Sequence, residues 1–197
     1  MAAPTKSYQV VAALQSLAAN TVYVGSDIDV STKLGGLMII QFARAVATAL
    51  TAGVKFRVEV AGAAAGNMAW GLLRSYQTAI ATAARLAVTT QSEATQKEIL
   101  MSNTTGYALT DRIFVENAVL ANSEFHEVCL IHASTHLTIE ENLAHVQEVT
   151  AFVSNSAERY ICSIPVEAAR IRLIVDNDPN AVAVYFKADL LTVDTIA

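Results

Sequence analysis

The fold class of this chain is decided by residues 168–188, AARIRLIVDNDPNAVAVYFKA. Two runs rich in β-branched and aromatic residues flank the cluster Asp176-Asn177-Asp178-Pro179-Asn180. Asp and Asn side chains hydrogen-bond to nearby backbone and tolerate left-handed geometry, so a cluster of this kind reverses the chain. The pattern predicts a β-hairpin that closes an all-β sandwich.

A second hairpin is predicted in residues 54–76. Residues 54–60, VKFRVEV, alternate apolar and charged side chains, which is typical of a strand with one buried and one solvated face. The flexible turn GAAAGN at residues 62–67 separates this strand from the segment that contains Trp70, the only tryptophan. We expect the sandwich core to contain Phe56, Val58, Trp70, Ile171, Leu173, Val184 and Phe186.

Short apolar runs predict further strands at residues 8–14, 21–24, 27–31 and 37–46. Residues 79–100 fit a short helix as well as a strand, and both alternatives stay open. The turn-rich residues 102–106, SNTTG, mark a change of composition. Four short strands are predicted beyond them: Arg112–Glu116, Glu124–His132, His136–Ile139 and residues 148–153. We therefore expect residues 1–104 and 156–197 to form one sandwich, with residues 105–155 as an inserted small β-subdomain.

The composition favours a protein that forms interfaces. Of the 197 residues, 53% are hydrophobic and only 16% are charged, against about 25% charged in an ordinary soluble domain. So few charges leave part of the surface apolar, and large apolar patches usually become interfaces, which predicts a homo-oligomer or an assembly component. A net charge of −5 without a basic block argues against nucleic-acid binding.

The sequence shows no targeting signal, so we expect the protein to be made and kept in a cytoplasm. The N-terminus lacks the basic and apolar regions of a signal peptide. The most apolar window, residues 37–50, is interrupted by Gln41 and Arg44 and is shorter than the roughly 20 residues of a membrane-spanning helix. We expect no membrane span.

The one cluster of residue types that suit metal ligation consists of His126, Cys129, His132, His136 and His145. On a strand, His126 and His132 share a face but lie about 20 Å apart, and Cys129 points to the opposite face. A turn after His132 could bring it near His136, which would leave a site with two ligands. We expect partly exposed polar histidines, and neither a metal nor a cofactor.

Other polar patterns also have simpler explanations than catalysis. Asp176, Asp178 and Asn180 have the spacing that begins a calcium loop, but the glycine and the distal glutamate of such loops are missing, so we expect a capped turn. Asp27 and Asp29 are expected on a solvated face. The two cysteines, Cys129 and Cys162, are expected to be packed free thiols. No nucleophile elbow, phosphate loop or dinucleotide fingerprint occurs, which predicts that the chain is not an enzyme.

Residues 111–128, 137–145 and 157–160 resemble small virion proteins of tailed bacteriophages. The terminal RIRLIVDN and AVAVYFKAD segments resemble the last hairpin of jelly-roll head-decoration (cement) proteins. The resemblance implies a jelly-roll-like β-sandwich that is made in the host cytoplasm and located on the virion. It also implies binding to the major capsid protein of the same virion, often as a trimer that clamps neighbouring shell subunits.

Capsid decoration is therefore the expected function. The alternative is a carbohydrate- or receptor-binding β-sandwich module of a phage tail or baseplate, which would need exposed Trp or Tyr rings as stacking platforms. We expect contacts with the shell from a flexible N-terminal segment and from the loop at residues 61–67. The partner-binding residues expected in these two segments are Met1, Ala2, Ala3, Pro4, Thr5, Lys6, Ser7, Gly62, Gly66 and Asn67.

Overall fold

The computed structural model describes residues 5–62, 69–132 and 135–194. Within these ranges the chain forms β-strands and loops, with one 3-10 turn at Leu120–Asn122. None of the helical structure in the described ranges is long and apolar enough to cross a membrane. The strands are β1 (Lys6–Leu17), β2 (Val22–Val24), β3 (Ile28–Asp29), β4 (Lys33–Arg44), β5 (Lys55–Ala61), β6 (Gly71–Gln77), β7 (Arg85–Thr90), β8 (Glu98–Met101), β9 (Arg112–Glu116), β10 (Glu124–His132), β11 (His136–Ile139), β12 (Phe152–Ser154), β13 (Glu158–Ile164), β14 (Arg170–Asp176) and β15 (Val184–Asp194).

The chain divides into two compact units. The first comprises Met1–Gln41, Thr51–Ala79 and Arg159–Ala197, and the second comprises Phe42–Leu50 and Ile80–Glu158. The first unit is a sandwich built from β1–β6 and β13–β15, and the second is a closed barrel built from β7–β12. In chain order, the barrel is therefore inserted between β6 and β13.

The sandwich has the strand order of a jelly roll. One sheet has the order β1-β15-β4-β13, and the other has the order β2-β14-β5-β6, with β3 continuing the position of β2 along β14. Two sheets with four strand positions each, one of them shared by β2 and β3, form the double Greek key of the jelly roll when they are connected in this way. The predicted all-β, jelly-roll-like sandwich is thus confirmed. Aromatic side chains join the two sheets across the core, with ring centroids 5.0 Å apart for Tyr23 and Phe186 and 5.7 Å apart for Phe56 and Tyr160.

The predicted sandwich core is correct except at Trp70. Six of the predicted core residues are buried: Phe56, Val58, Ile171, Leu173, Val184 and Phe186. Trp70 is only half-buried, because it precedes β6 and the Arg172 guanidinium lies 4.2 Å from the centroid of its ring. A cation over an aromatic ring stabilises this partly exposed position without burying the indole.

The predicted C-terminal hairpin is wrong, whereas the hairpin in residues 54–76 is confirmed. In that hairpin, β5 and β6 pair antiparallel from Lys55↔Gln77 onward. In contrast, β14 pairs with β2 and β5, while β15 pairs with β1, so the two terminal strands lie in different sheets. The sequence marks the chain reversal, but each strand buries its apolar face better beside a partner that is distant in sequence. The reversal therefore crosses from one sheet to the other.

Two fully buried asparagines hold this crossing. Asn177 Nδ2 donates to the carbonyl oxygens of Ala18 (2.9 Å) and Val182 (3.0 Å). Asn180 Nδ2 donates to Asn177 Oδ1 (3.1 Å), and Asn180 Oδ1 accepts from the backbone N–H of Ala52 (3.0 Å). These two side chains bind backbone groups of three segments, and these bonds satisfy the polar atoms of the two buried amides in return.

The second unit is a six-stranded barrel of order β10-β11-β8-β7-β12-β9. The predicted bounds of β9, β10 and β11 are confirmed, whereas only the end of the predicted segment 148–153 forms a strand, β12. Apolar side chains fill the barrel, and the largest of them are Ile99, Ile113, Leu137, Ile139 and Leu143.

The predicted boundary after residue 104 differs from the structure. Residues 80–104 belong to the barrel unit, as do Phe42–Leu50. The undecided segment 79–100 contains β7 and β8, which pair with β12 and β11 and supply two of the six barrel strands. Alanine and threonine in this segment give little alternation, so the barrel contacts and not the local pattern determine its structure.

Candidate interaction surface

The side chains of β15, the last strand of the sandwich, alternate between a buried face and an outward-facing one. Alternate residues of β15 from Val184 to Thr192 are buried, and the residues between them are half-buried. Three of the outward-facing residues are apolar: Tyr185, Leu191 and Val193. Since neighbouring strands continue the same two faces, β15 defines the outer face of the sheet β1-β15-β4-β13.

Apolar side chains continue across this outer face. Tyr8 and Val10 on β1 are 65% and 51% exposed, and they lie opposite Leu191 and Asp189 of β15. On β4, Met38, Ile40 and Phe42 are buried and the residues between them are half-buried, so Ile39 and Gln41 point outward. Leu37 on β4 is 39% exposed, and Ile161 on β13 is 51% exposed. We call this surface the apolar face; it consists of Tyr8, Val10, Leu37, Ile39, Ile161, Tyr185, Leu191 and Val193.

The outer face of the other sheet is organised by charge. Arg172 on β14 forms an ion pair with Glu59 on β5 (2.7 Å), and Arg170 forms one with Asp29 on β3 (3.2 Å). Exposed apolar residues occur there on the edge strands, at Val22, Val24 and Leu72. Cross-strand ion pairs are compatible with water, so this sheet presents a solvated centre. The two outer faces of the sandwich therefore differ in character.

The expected partner-binding residues at the N-terminus lie partly in a paired strand. Lys6 and Ser7 belong to β1 and pair with Val193 and Thr192, so this part of the predicted flexible end is wrong. Backbone hydrogen bonding to β15 is the reason, together with side-chain bonds to Asp194 from Thr5 (3.4 Å) and Ser7 (3.0 Å). The Lys33 ammonium, 2.5 Å from Asp194, is the main cause that lowers the pKa of that carboxyl group. Met1, Ala2, Ala3 and Pro4 lie outside the described residues.

Of the three partner-binding residues expected in the loop at residues 61–67, one lies within the described residues. Gly62 is exposed at the end of β5, and a side chain added there would meet no neighbouring atom. Gly66 and Asn67 lie outside the described residues. The structure therefore places an accessible position at Gly62 without assigning it a contact.

The histidines do not form a metal centre within the described part of the chain, where no group of three or more His, Cys, Asp or Glu residues could hold an ion. The turn after His132 does bring this residue near His136: the two residues are paired between β10 and β11, and their ring centroids lie 3.8 Å apart. His126 is buried rather than partly exposed, and its Nε2 lies 3.0 Å from Glu124 Oε2. Glu124 also accepts from the backbone N–H groups of Ala144 and His145.

The acidic patterns form turns and surface pairs. The carboxylate of Asp176 accepts from the backbone N–H of Asp178 (3.1 Å), so the predicted capping is confirmed, although the turn joins two sheets. Asp27 and Asp29 are both exposed, as expected. The Asp29 carboxylate accepts hydrogen bonds from the hydroxyl and the backbone N–H of Ser31. These two bonds lower the pKa of the Asp29 carboxyl group.

Both cysteines are free, as predicted, but only one is packed. Cys162 is buried on β13 beside a groove of about 210 Å³, and burial raises the pKa of its thiol. Cys129 is exposed on β10, so its predicted packing is wrong. It follows Val128, where the β10–β11 register shifts, and such an irregularity re-aims side chains.

The aromatic rings of the sandwich mostly contact other groups of the protein. Tyr76 stacks on Tyr160 with ring centroids 4.9 Å apart, and its hydroxyl donates to the Ile161 carbonyl. Trp70 has the Arg172 guanidinium over its ring. Tyr8 is the most exposed of the large apolar residues, and its hydroxyl donates to Asp189, which raises the pKa of that hydroxyl to about 12. The flat, unoccupied ring pair that a sugar platform needs is not built by these residues.

Comparison with known proteins yields capsid proteins at low similarity. No protein-family model and no curated protein matches the chain. A chain in the structure of infectious bursal disease virus Gx strain matches at 9% identity and a TM-score of 0.26, over 98% of this chain and 42% of the viral one. VP17, a capsid protein of bacteriophage P23-77, matches at 6% identity and a TM-score of 0.21, over 99% of both chains. The present chain thus spans less than half of the first of these. At these TM-scores the fold assignment rests on the chain's own strand order.

Proposed function

We propose that this chain is a virion structural protein that decorates and stabilises a phage head shell. The observation that carries the proposal is the contrast between the two outer faces of the jelly roll: one has cross-strand ion pairs at its centre, whereas the other carries exposed and half-buried apolar side chains around Lys187 and Asp189. Several exposed apolar side chains on one sheet of a poorly charged protein are a usual mark of a protein–protein interface. The resemblance of the sequence to head-decoration proteins supports the shell as the partner.

In this proposal the apolar face docks on the major capsid protein. A standard contact buries about 1,600 Å² in total, and repeated copies around a symmetric shell act together. Binding to the assembled shell and not to free subunits stabilises the shell by mass action, with no catalytic residue and no cofactor. The protein would be made in the host cytoplasm and would reside on the virion.

Substitutions on the apolar face test the docking. We expect Leu37→Lys and Ile161→Lys each to weaken binding to shells that lack this protein by about tenfold or more, because each places a charge in a desolvated contact. Binding is measured by co-sedimentation of purified protein with the shells. The matched control is Leu72→Lys on the ion-paired sheet, which should bind as the unaltered protein does. Equal binding by all three variants would contradict docking through this face.

Alanine substitutions in the turns separate decoration from ligand-dependent binding. We expect Asp176→Ala, Asp178→Ala, His132→Ala and His136→Ala to keep shell binding within about threefold, or ~0.7 kcal/mol. None of these residues lies on the apolar face. If a variant loses binding while its thermal unfolding is unchanged, the interaction depends on a metal or a sugar, and the decoration proposal fails.

A further inference from the structure

Strand β1 carries a free edge. It is the end strand of its sheet and, among the described strands, pairs with β15. The Thr5 carbonyl accepts from the Asp194 N–H (2.9 Å), and the register runs without a shift from Lys6↔Val193 to Val10↔Asp189. Backbone groups of alternate residues point to opposite sides of an antiparallel strand. The N–H and C=O groups of Lys6, Tyr8 and Val10 are therefore directed away from β15.

From Lys6 to Val10 this edge has few of the features that usually prevent strand addition, since the two register shifts of β1 lie beyond Val10. Proteins protect edges with charged residues, proline, β-bulges or very short strands. β1 is 12 residues long and contains no proline, and Lys6 is its single charged residue. The edge strands of the opposite sheet, β2 and β6, have 3 and 7 residues. Tyr8 and Val10, whose backbone groups point outward along the edge, are also highly exposed.

We propose that this edge binds a second copy of the chain. The two β1 strands would pair antiparallel about a two-fold axis at Tyr8, so that Tyr8 faces Tyr8 of the second copy and Lys6 faces Val10. About six backbone hydrogen bonds would form between the directed groups. The two four-stranded sheets would become one continuous sheet of eight strands, with the apolar face extending across both copies.

The charges and side chains of the edge fit this register. Leu191 lies beside Tyr8 in the sheet, so the central row of the dimer would read Leu191, Tyr8, Tyr8, Leu191. An aromatic cross-strand pair flanked by leucines is favourable. In the rows on either side, Lys6 lies next to Val10 of the second copy. The next residue in the same row is Asp189, on β15 of that second copy. The lysine thus approaches an acidic residue, and no like charges are opposed.

An isologous contact of this kind closes at two copies. It differs from the cyclic trimer that the resemblance to decoration proteins implies. The proposal needs no shell and stands apart from the decoration function, because it concerns the isolated protein.

A charge exchange tests the pairing and its register. Sedimentation equilibrium of the unaltered protein should show a dimer at tens of micromolar. Val10→Lys opposes Lys6 of the second copy twice across the axis and should raise the dimer dissociation constant about tenfold or more. Adding Lys6→Glu to Val10→Lys restores opposite charges and should recover most of the affinity. Leu72→Lys, on the edge strand of the other sheet, should leave the dimer intact.

Hydrogen exchange provides a readout that does not depend on variants. The Tyr8 amide should become protected as protein concentration rises, whereas the Gln9 amide, directed towards β15, should be protected at all concentrations. A monomer or trimer under these conditions would overturn the proposal, as would a dimer that survives Val10→Lys or Tyr8 protection that does not depend on concentration. Protection that requires added shell protein would assign the edge to that protein and would equally refute self-pairing.

Discussion

Asn177→Ala is expected to destabilise the sandwich by about 3 kcal/mol, although it removes only one amide group. The substitution leaves the carbonyls of Ala18 and Val182 without their donor, and it leaves Nδ2 of the fully buried Asn180 without its acceptor. Unsatisfied buried polar groups lose their hydration without compensation. Urea unfolding followed by the fluorescence of Trp70, which lies in the sandwich unit, measures the loss.

The control for this variant lies one residue away. Asp178 is exposed, and Asp178→Ala should change the free energy of unfolding by less than about 0.5 kcal/mol. The pair Asn177→Ala and Asn180→Ala should be strongly non-additive, since each single change already breaks their shared hydrogen bond. Equal small effects of Asn177→Ala and Asp178→Ala would show that the crossing is not held by the buried amides.

Glu124→Gln is expected to destabilise the barrel by about 2 kcal/mol at neutral pH. Burial by itself would raise the pKa of this carboxyl group, but hydrogen bonds from His126 and from the N–H groups of Ala144 and His145 outweigh it and lower the pKa to about 2. Gln147 Nε2 donates to the same carboxylate at 2.9 Å. An amide in its place presents a donor where these donors converge. Exchange of the barrel amide of Leu143, bonded to Gln96 O, reports the change.

The cost of Glu124→Gln should depend on pH in a defined direction. Because the folded pKa lies below the ordinary value of 4.5, the carboxylate stabilises the fold fully above that value and loses its contribution as pH falls towards 2. The difference in stability between the two proteins should therefore be constant near neutrality and close in acid. Glu141→Gln, at an exposed position, serves as the control. Its free energy of unfolding should stay close to that of the unaltered protein at every pH.

Strands with clear alternation or clean turn boundaries could be predicted from the sequence. Arg112–Glu116, Glu124–His132 and His136–Ile139 are bounded by polar turns, and their limits match the structure. Strand pairing could not be predicted with the same success. The run around Asp176–Asn180 looks like a local hairpin, yet β14 and β15 find partners more than a hundred residues away. Non-local packing, which a local pattern does not encode, decides between the two arrangements.

The apolar face was not predicted, although one signal for it is present. Leu190 and Leu191 are adjacent apolar residues in β15, so both faces of this strand carry apolar side chains. In a sandwich strand only one face is covered by the second sheet, which leaves Leu191 for another partner. The predicted flexibility of the N-terminal segment was wrong from Lys6 onward, because these residues pair with β15, a partner that is distant in sequence.

The central claim, a structural role on the virion, is tested most directly by counting copies. Quantitative mass spectrometry of virus particles purified from cells that produce this chain measures its ratio to the major shell protein. We predict a ratio of the same order as the shell protein itself, retained through density-gradient purification. Absence from the particles, or a few copies per particle, would contradict a shell-decorating role.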